Sequence, residues 1–77
     1  MPASQRRHLT GRIILVQEDR FRIVDGTGRG YLLGISYKAG LGQEDLERFH
    51  EADAQVRVEY TGEPNLASGI AHNIEPL

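Results

Sequence analysis

Residues 54–62, AQVRVEYTG, alternate more regularly than any other part of this chain. Val56, Val58 and Tyr60 fall on one face, and Gln55, Arg57 and Glu59 on the other. That period of two is the mark of a strand with one buried side. Residues 20–25, RFRIVD, alternate in the same way: Phe21 and Ile23 point inward, Arg20, Arg22 and Val24 outward. Residues 9–17, LTGRIILVQ, are aliphatic and β-branched, interrupted by Gly11 and Arg12. They predict a long strand with a bulge or corner at the glycine. Residues 29–36, RGYLLGIS, predict a third strand, and residues 66–75 a last one with Ile70 and Ile74 on its buried face. Only residues 42–53, GQEDLERFHEAD, change period: Leu46, Phe49 and Ala52 stand at helical spacing, with acids in the first turn where the helix dipole favours them. A helix is expected over residues 43–51.

Between the second and third strands lies Asp25-Gly26-Thr27-Gly28, whose residues tolerate positive φ and predict a tight hairpin. Two registers are open. A two-residue turn pairing Asp25 with Gly28 puts Tyr31 opposite Arg22 on the outer face. A three-residue loop with a glycine bulge turns Tyr31, Leu33 and Ile35 inward and leaves Gly30, Leu32 and Gly34 outside. That second register leaves a glycine-lined strip beside Arg20 and Arg22, where a ligand backbone could approach closely.

The expected fold is all-β with one short helix, in the order β-β-β-α-β-β. So small a sheet cannot leave both edges bare, and closing it removes them. Five strands with a helix between the third and fourth is the layout of a five-stranded OB-fold barrel, with Leu46 and Phe49 plugging its bottom. An SH3-like barrel is the rival, but it normally has no true helix there. Residues 1–8 carry Pro2 and show no periodicity, so a flexible tail precedes a single domain over residues 9–77.

At 77 residues the chain is near the lower limit for a core without staples, and it contains no cysteine for disulfides or thiolate metal sites. No apolar run is long enough to span a membrane, and no apolar stretch follows Arg6 and Arg7 to make a secretory signal; a cytoplasmic setting is expected. The net charge of −2 hides an asymmetry: residues 1–40 hold seven basic and three acidic side chains, residues 41–77 two basic and eight acidic.

Gly11-Arg12-Ile13 followed by Phe21-Arg22-Ile23-Val24-Asp25-Gly26-Thr27-Gly28 resembles the first three strands of nucleic-acid-binding OB domains, among them the anticodon-binding domains of class II aminoacyl-tRNA synthetases. The resemblance covers residues 9–35. It implies an OB barrel binding single strands across its second and third strands. Two positions differ: Arg20 stands five before the turn Asp, where those domains carry a stacking Phe, and Tyr31 stands where they carry a polar residue.

Single-stranded nucleic acid is held by cations tracking phosphates and by flat faces for bases. The candidates here are Arg12, Arg20, Arg22, Arg29 and Lys38, with Tyr31 and Tyr37. The expected partner is therefore single-stranded RNA or DNA. The alternative is a protein-interaction or scaffold module, pairing with another chain or with itself. No cofactor, metal or catalysis is expected. His8, His50 and His72 lack metal-ligand spacing, and no Ser/His/Asp set is suggested around Ser4, Ser36 or Ser68. Asp25 reads as a turn residue, and the GTGRG run lacks the Lys-Ser/Thr of a phosphate loop and opens a strand. The carboxylates of the helix (Glu44, Asp45, Glu47, Glu51) read as a solvated face.

Overall fold

The structure is a computed structural model, and it describes residues 6–36, 38 and 40–77. Its elements are β1 (Arg7–Gln17), β2 (Arg20–Asp25), β3 (Gly30–Ile35), α1 (Gln43–Glu51), β4 (Gln55–Thr61) and β5 (Ile70–Pro76). The strands close a barrel in the order β1-β2-β3-β5-β4, with β4 returning to β1. Every pairing is antiparallel except β3 with β5. A closed five-stranded barrel with one helix between β3 and β4 is consistent with an OB-like fold. No helix among the described residues is long and apolar enough to cross a membrane.

β1 makes closure possible by serving two neighbours. Its first half pairs with β4 and its second with β2, and Gly11 and Arg12 pair with both. Gly11 is the corner, and it must be glycine: a Cβ there would strike the Val24 carbonyl. The register shift lies further on, between Ile13 and Leu15. Ile13-Ile14-Leu15-Val16 is four apolar residues in a row, more than one buried face can accept. The irregularity buries Ile13 and leaves Ile14 and Leu15 exposed. β1 also begins before the expected Leu9, so part of the tail expected over residues 1–8 belongs to the barrel. Arg7 and His8 pair with Tyr60 and Glu59, and the Arg7 guanidinium lies 5.1 Å from the centre of the Tyr60 ring.

The barrel interior is filled by Ile13, Phe21, Ile23, Leu33, Ile35, Val56, Val58, Tyr60, Ala71 and Ile74, with Leu46 delivered by the helix. Leu46 is fully buried and Phe49 half-buried, as the plug requires. Gly42 caps the start of α1, its N–H donating to Asp45 Oδ2 at 3.0 Å. The last strand departs from expectation in two ways. It begins at Ile70, because residues 66–69 turn instead, and its fully buried residue is Ala71 where Ile70 was expected. Glu59 faces Asn73 but Tyr60 faces Ala71, so His72 is an extra residue that shifts the phase. The His72 ring hydrogen-bonds Thr61 through Nε2 and Oγ1 at 2.8 Å.

Candidate nucleic-acid interface

The outward face of β1, β2 and β3 is built in cross-strand rows. Gln17, Arg20 and Gly34 form one row; Leu15, Arg22 and Leu32 the next; Arg12, Val24 and Gly30 the third. Arg20 and Arg22 therefore stand side by side along β2, both exposed, as alternation predicts. Among the described residues neither lies within ion-pair distance of a carboxylate. Gly30 and Gly34 on β3 place no side chain beside them, and the Arg22 side chain passes 4.0 Å from where a Gly30 Cβ would stand.

The 62–69 loop borders this face at the β3 side. Asn65, at φ 72°, donates its N–H to the Leu32 carbonyl at 2.8 Å and accepts the Leu32 N–H on Oδ1 at 2.9 Å. This two-way bond caps the β3 edge ahead of its pairing with β5. It sets Leu66, 61% exposed, beside a small cleft shared with Arg20, Leu32 and Gly34. The face is thus cationic and aliphatic, with no aromatic side chain in its three rows.

The remaining candidates are placed elsewhere. The hairpin is the three-residue form: Gly28 N–H donates to the Asp25 carbonyl, and Asp25 N–H to the Arg29 carbonyl, each at 3.0 Å. Gly28 takes φ 89°, the left-handed conformation such a loop requires. Tyr31 consequently pairs with Ile23, is half-buried against the core and does not join the outer face. Its hydroxyl donates to Asp25 Oδ2 at 3.1 Å. Burial and that bond push the Tyr31 phenol up from its ordinary value. Arg29 accompanies Tyr31, its guanidinium 5.5 Å from the ring centre. Lys38 is exposed in the β3–α1 connection, and Tyr37 lies outside the described residues.

Asp25 is the hub of the hairpin. Its Oδ1 accepts from the Thr27 hydroxyl at 2.6 Å, the Thr27 N–H at 2.9 Å and the Arg29 N–H at 3.1 Å. The Thr27 hydroxyl above all, then the two N–H donors and Tyr31, hold this carboxyl at about 2 against the opposing effect of burial.

Arg12 is on the outer face as expected, but it is paired: Nη1 donates to Asp53 Oδ2 at 3.3 Å. Two further front-half cations are also matched, Arg6 to Glu59 at 2.7 Å and Arg7 to Glu63 at 3.5 Å. Sequence reasoning missed Asp53 and the exposed Ile14, Leu15 and Leu66. The run of four apolar residues in β1 was the available signal for two of them. Among the described residues no group of three or more His, Asp or Glu side chains is placed to hold a metal ion. Comparison of the chain with protein-family models, with curated proteins and with solved structures finds no match.

Proposed function

We propose that this chain is a small OB-fold protein that binds single-stranded nucleic acid, without catalysis, along the outward face of β1–β3. The strand order and the position of α1 support the OB reading. The observation that carries the ligand is the Arg20–Arg22 pair: adjacent exposed guanidinium groups, unpaired among the described residues, beside two glycines that let a backbone approach. Arg12, held by Asp53, borders this pair at the end of the strip. Two phosphate contacts give a log K against log salt slope of roughly −1.4 for single strands. Affinity is modest and strongly weakened by salt. The aliphatic side chains Leu15, Leu32 and Leu66 supply apolar support for bases where aromatic rings are lacking.

Fluorescence anisotropy with mixed-sequence single-stranded DNA and RNA at low salt tests this reading. Wild type should bind, and R20E/R22E should not, while circular dichroism shows the barrel intact. A flat anisotropy curve for wild type would overturn it.

One observation favours a second reading, a protein partner. Ile14, Leu15 and Leu66 are 48%, 41% and 61% exposed around the arginine pair, an apolar edge suited to a protein surface. A second copy of this chain as that partner would show as a concentration-dependent sedimentation coefficient.

A further inference from the structure

At one end of the outer face, beyond Arg22, lies a cleft of about 350 Å³ between the β2–β3 hairpin and the link from α1 to β4. That volume is within the range of about 300–1,000 Å³ typical of small-ligand pockets. Ile14 and Val24 supply its apolar walls, and Arg12, Asp53 and Gln55 its polar rim. The Asp25 carboxylate, though it lines the cleft, is committed to the hairpin. Val24 is the next outward residue after Arg22 on β2, so the cleft continues the arginine strip.

The rim has a definite order of hydrogen-bonding groups. Asp53 closes α1: its N–H donates to the His50 carbonyl at 3.1 Å, and its φ of 51° turns the chain out of the helix. The carboxylate so placed meets the Arg12 guanidinium at 3.3 Å. The pair presents an acceptor followed by donors. Cytosine's pairing edge is the complement: an exocyclic amino donor, then the N3 and O2 acceptors. Thymine and uracil in that pose set the O4 acceptor against the carboxylate; shifted so that N3–H donates to it, they leave the guanidinium one carbonyl acceptor where cytosine offers two. Adenine offers the amino group and one acceptor but no O2. Guanine, turned end for end, sets its N2–H and N1–H donors against the carboxylate and O6 against the guanidinium, so the pair separates cytosine from thymine and uracil and not from guanine.

We infer that the Arg12–Asp53 cleft is a base subsite that accepts cytosine in preference to thymine or uracil, an assignment that rests on the nucleic-acid reading above. The strand's phosphates follow Arg20 and Arg22 while one base enters between Ile14 and Val24, its amino group donating to Asp53 and its ring acceptors facing Arg12. Both rim side chains are largely exposed, so discrimination sits at the low end of what a matched base contact supplies, about fivefold to tenfold.

Anisotropy titrations of the full chain with labelled oligodeoxycytidine and oligothymidine of equal length, at one fixed low salt concentration and neutral pH, decide the matter. Wild type should bind the cytidine strand about fivefold to tenfold more tightly. D53N tolerates the left-handed backbone and offers an amide that also donates to O4, so it should bring the two affinities together, chiefly by strengthening thymidine binding. Equal wild-type affinities, or a preference that survives in D53N, would overturn the inference while leaving the arginine strip standing. Binding of neither strand would overturn the nucleic-acid reading and the subsite with it.

Discussion

Two groups of arginines on this barrel differ in what they face. Arg6, Arg7 and Arg12 stand on or beside the half of β1 that pairs with β4, and each meets a carboxylate from the second half of the chain: Glu59, Glu63 and Asp53. Arg20 and Arg22, on β2, face no carboxylate among the described residues. The basic front and acidic rear of the sequence are therefore partly an internal match, sewn together where β1 meets β4. Of the exposed cations without a carboxylate partner among the described residues, Arg20 and Arg22 stand side by side on one strand, while Arg29, Lys38 and Arg57 lie elsewhere. Exposed ion pairs of the first kind add little stability, but they remove three cations from the field an approaching ligand feels.

The boundary between the two groups is Gly11, where β1 passes from one partner strand to the other. Breaking it should have the largest effect. Gly11→Ala sets a methyl group against the Val24 carbonyl, which is backbone and cannot swing aside. A domain of this size has a total stability of roughly 4–12 kcal/mol. The clash is expected to take most of it, leaving a chain that melts near or below room temperature by circular dichroism. A variant with an unchanged melting temperature would mean that the two halves of β1 are not locked through this corner.

Smaller in energy but sharper for function is an exchange of charges between the groups. R20E/R22E should abolish binding to single strands at low salt. R6Q/R7Q should leave affinity within about threefold of wild type. Arg6 and Arg7 are already matched by Glu59 and Glu63, and neither belongs to the three rows of the outer face. If R6Q/R7Q weakened binding as much as R20E/R22E, the ligand would be reading net charge, and the strip would not be its site.

The division between these groups was only half legible in the sequence. The outward aim of Arg20 and Arg22 follows from strict alternation around Phe21 and Ile23, and β2 and α1 lie where periodicity placed them, over residues 20–25 and 43–51. Alternation fails as a guide where a strand carries an extra residue. Nothing local tells which of Ile13, Ile14 and Leu15 is buried, or that His72 moves Ala71 into the core. The face of Tyr31 turned on a single residue of loop length, and the glycine that allows a three-residue loop also permits a two-residue one. The pairing of Arg12 with Asp53 joins residues 41 apart, which only the closed barrel brings together.

The smallest expected effect separates carboxylates held by neutral donors from those held by arginines. Asp25 and Glu59 both have carboxyls below their ordinary values, Asp25 through the Thr27 hydroxyl and its neighbours, Glu59 through Arg6. A folded-state value lowered in this way adds stability that is fully present above the unfolded value. It is lost as pH falls through the folded one. For Asp25 the loss runs from about pH 4, near its ordinary 3.8, down to about 2. Salt distinguishes the two. Hydrogen bonds from Thr27 and the backbone are not screened, whereas the exposed Arg6–Glu59 attraction is. Melting temperatures measured between pH 5 and 2 should therefore fall less steeply in D25N than in wild type, at both low and high salt. E59Q should flatten the curve only at low salt, by no more than a few degrees. Equal salt sensitivity in the two variants would show that Asp25, too, is held by a charge, and Arg29 beside Tyr31 would be its source.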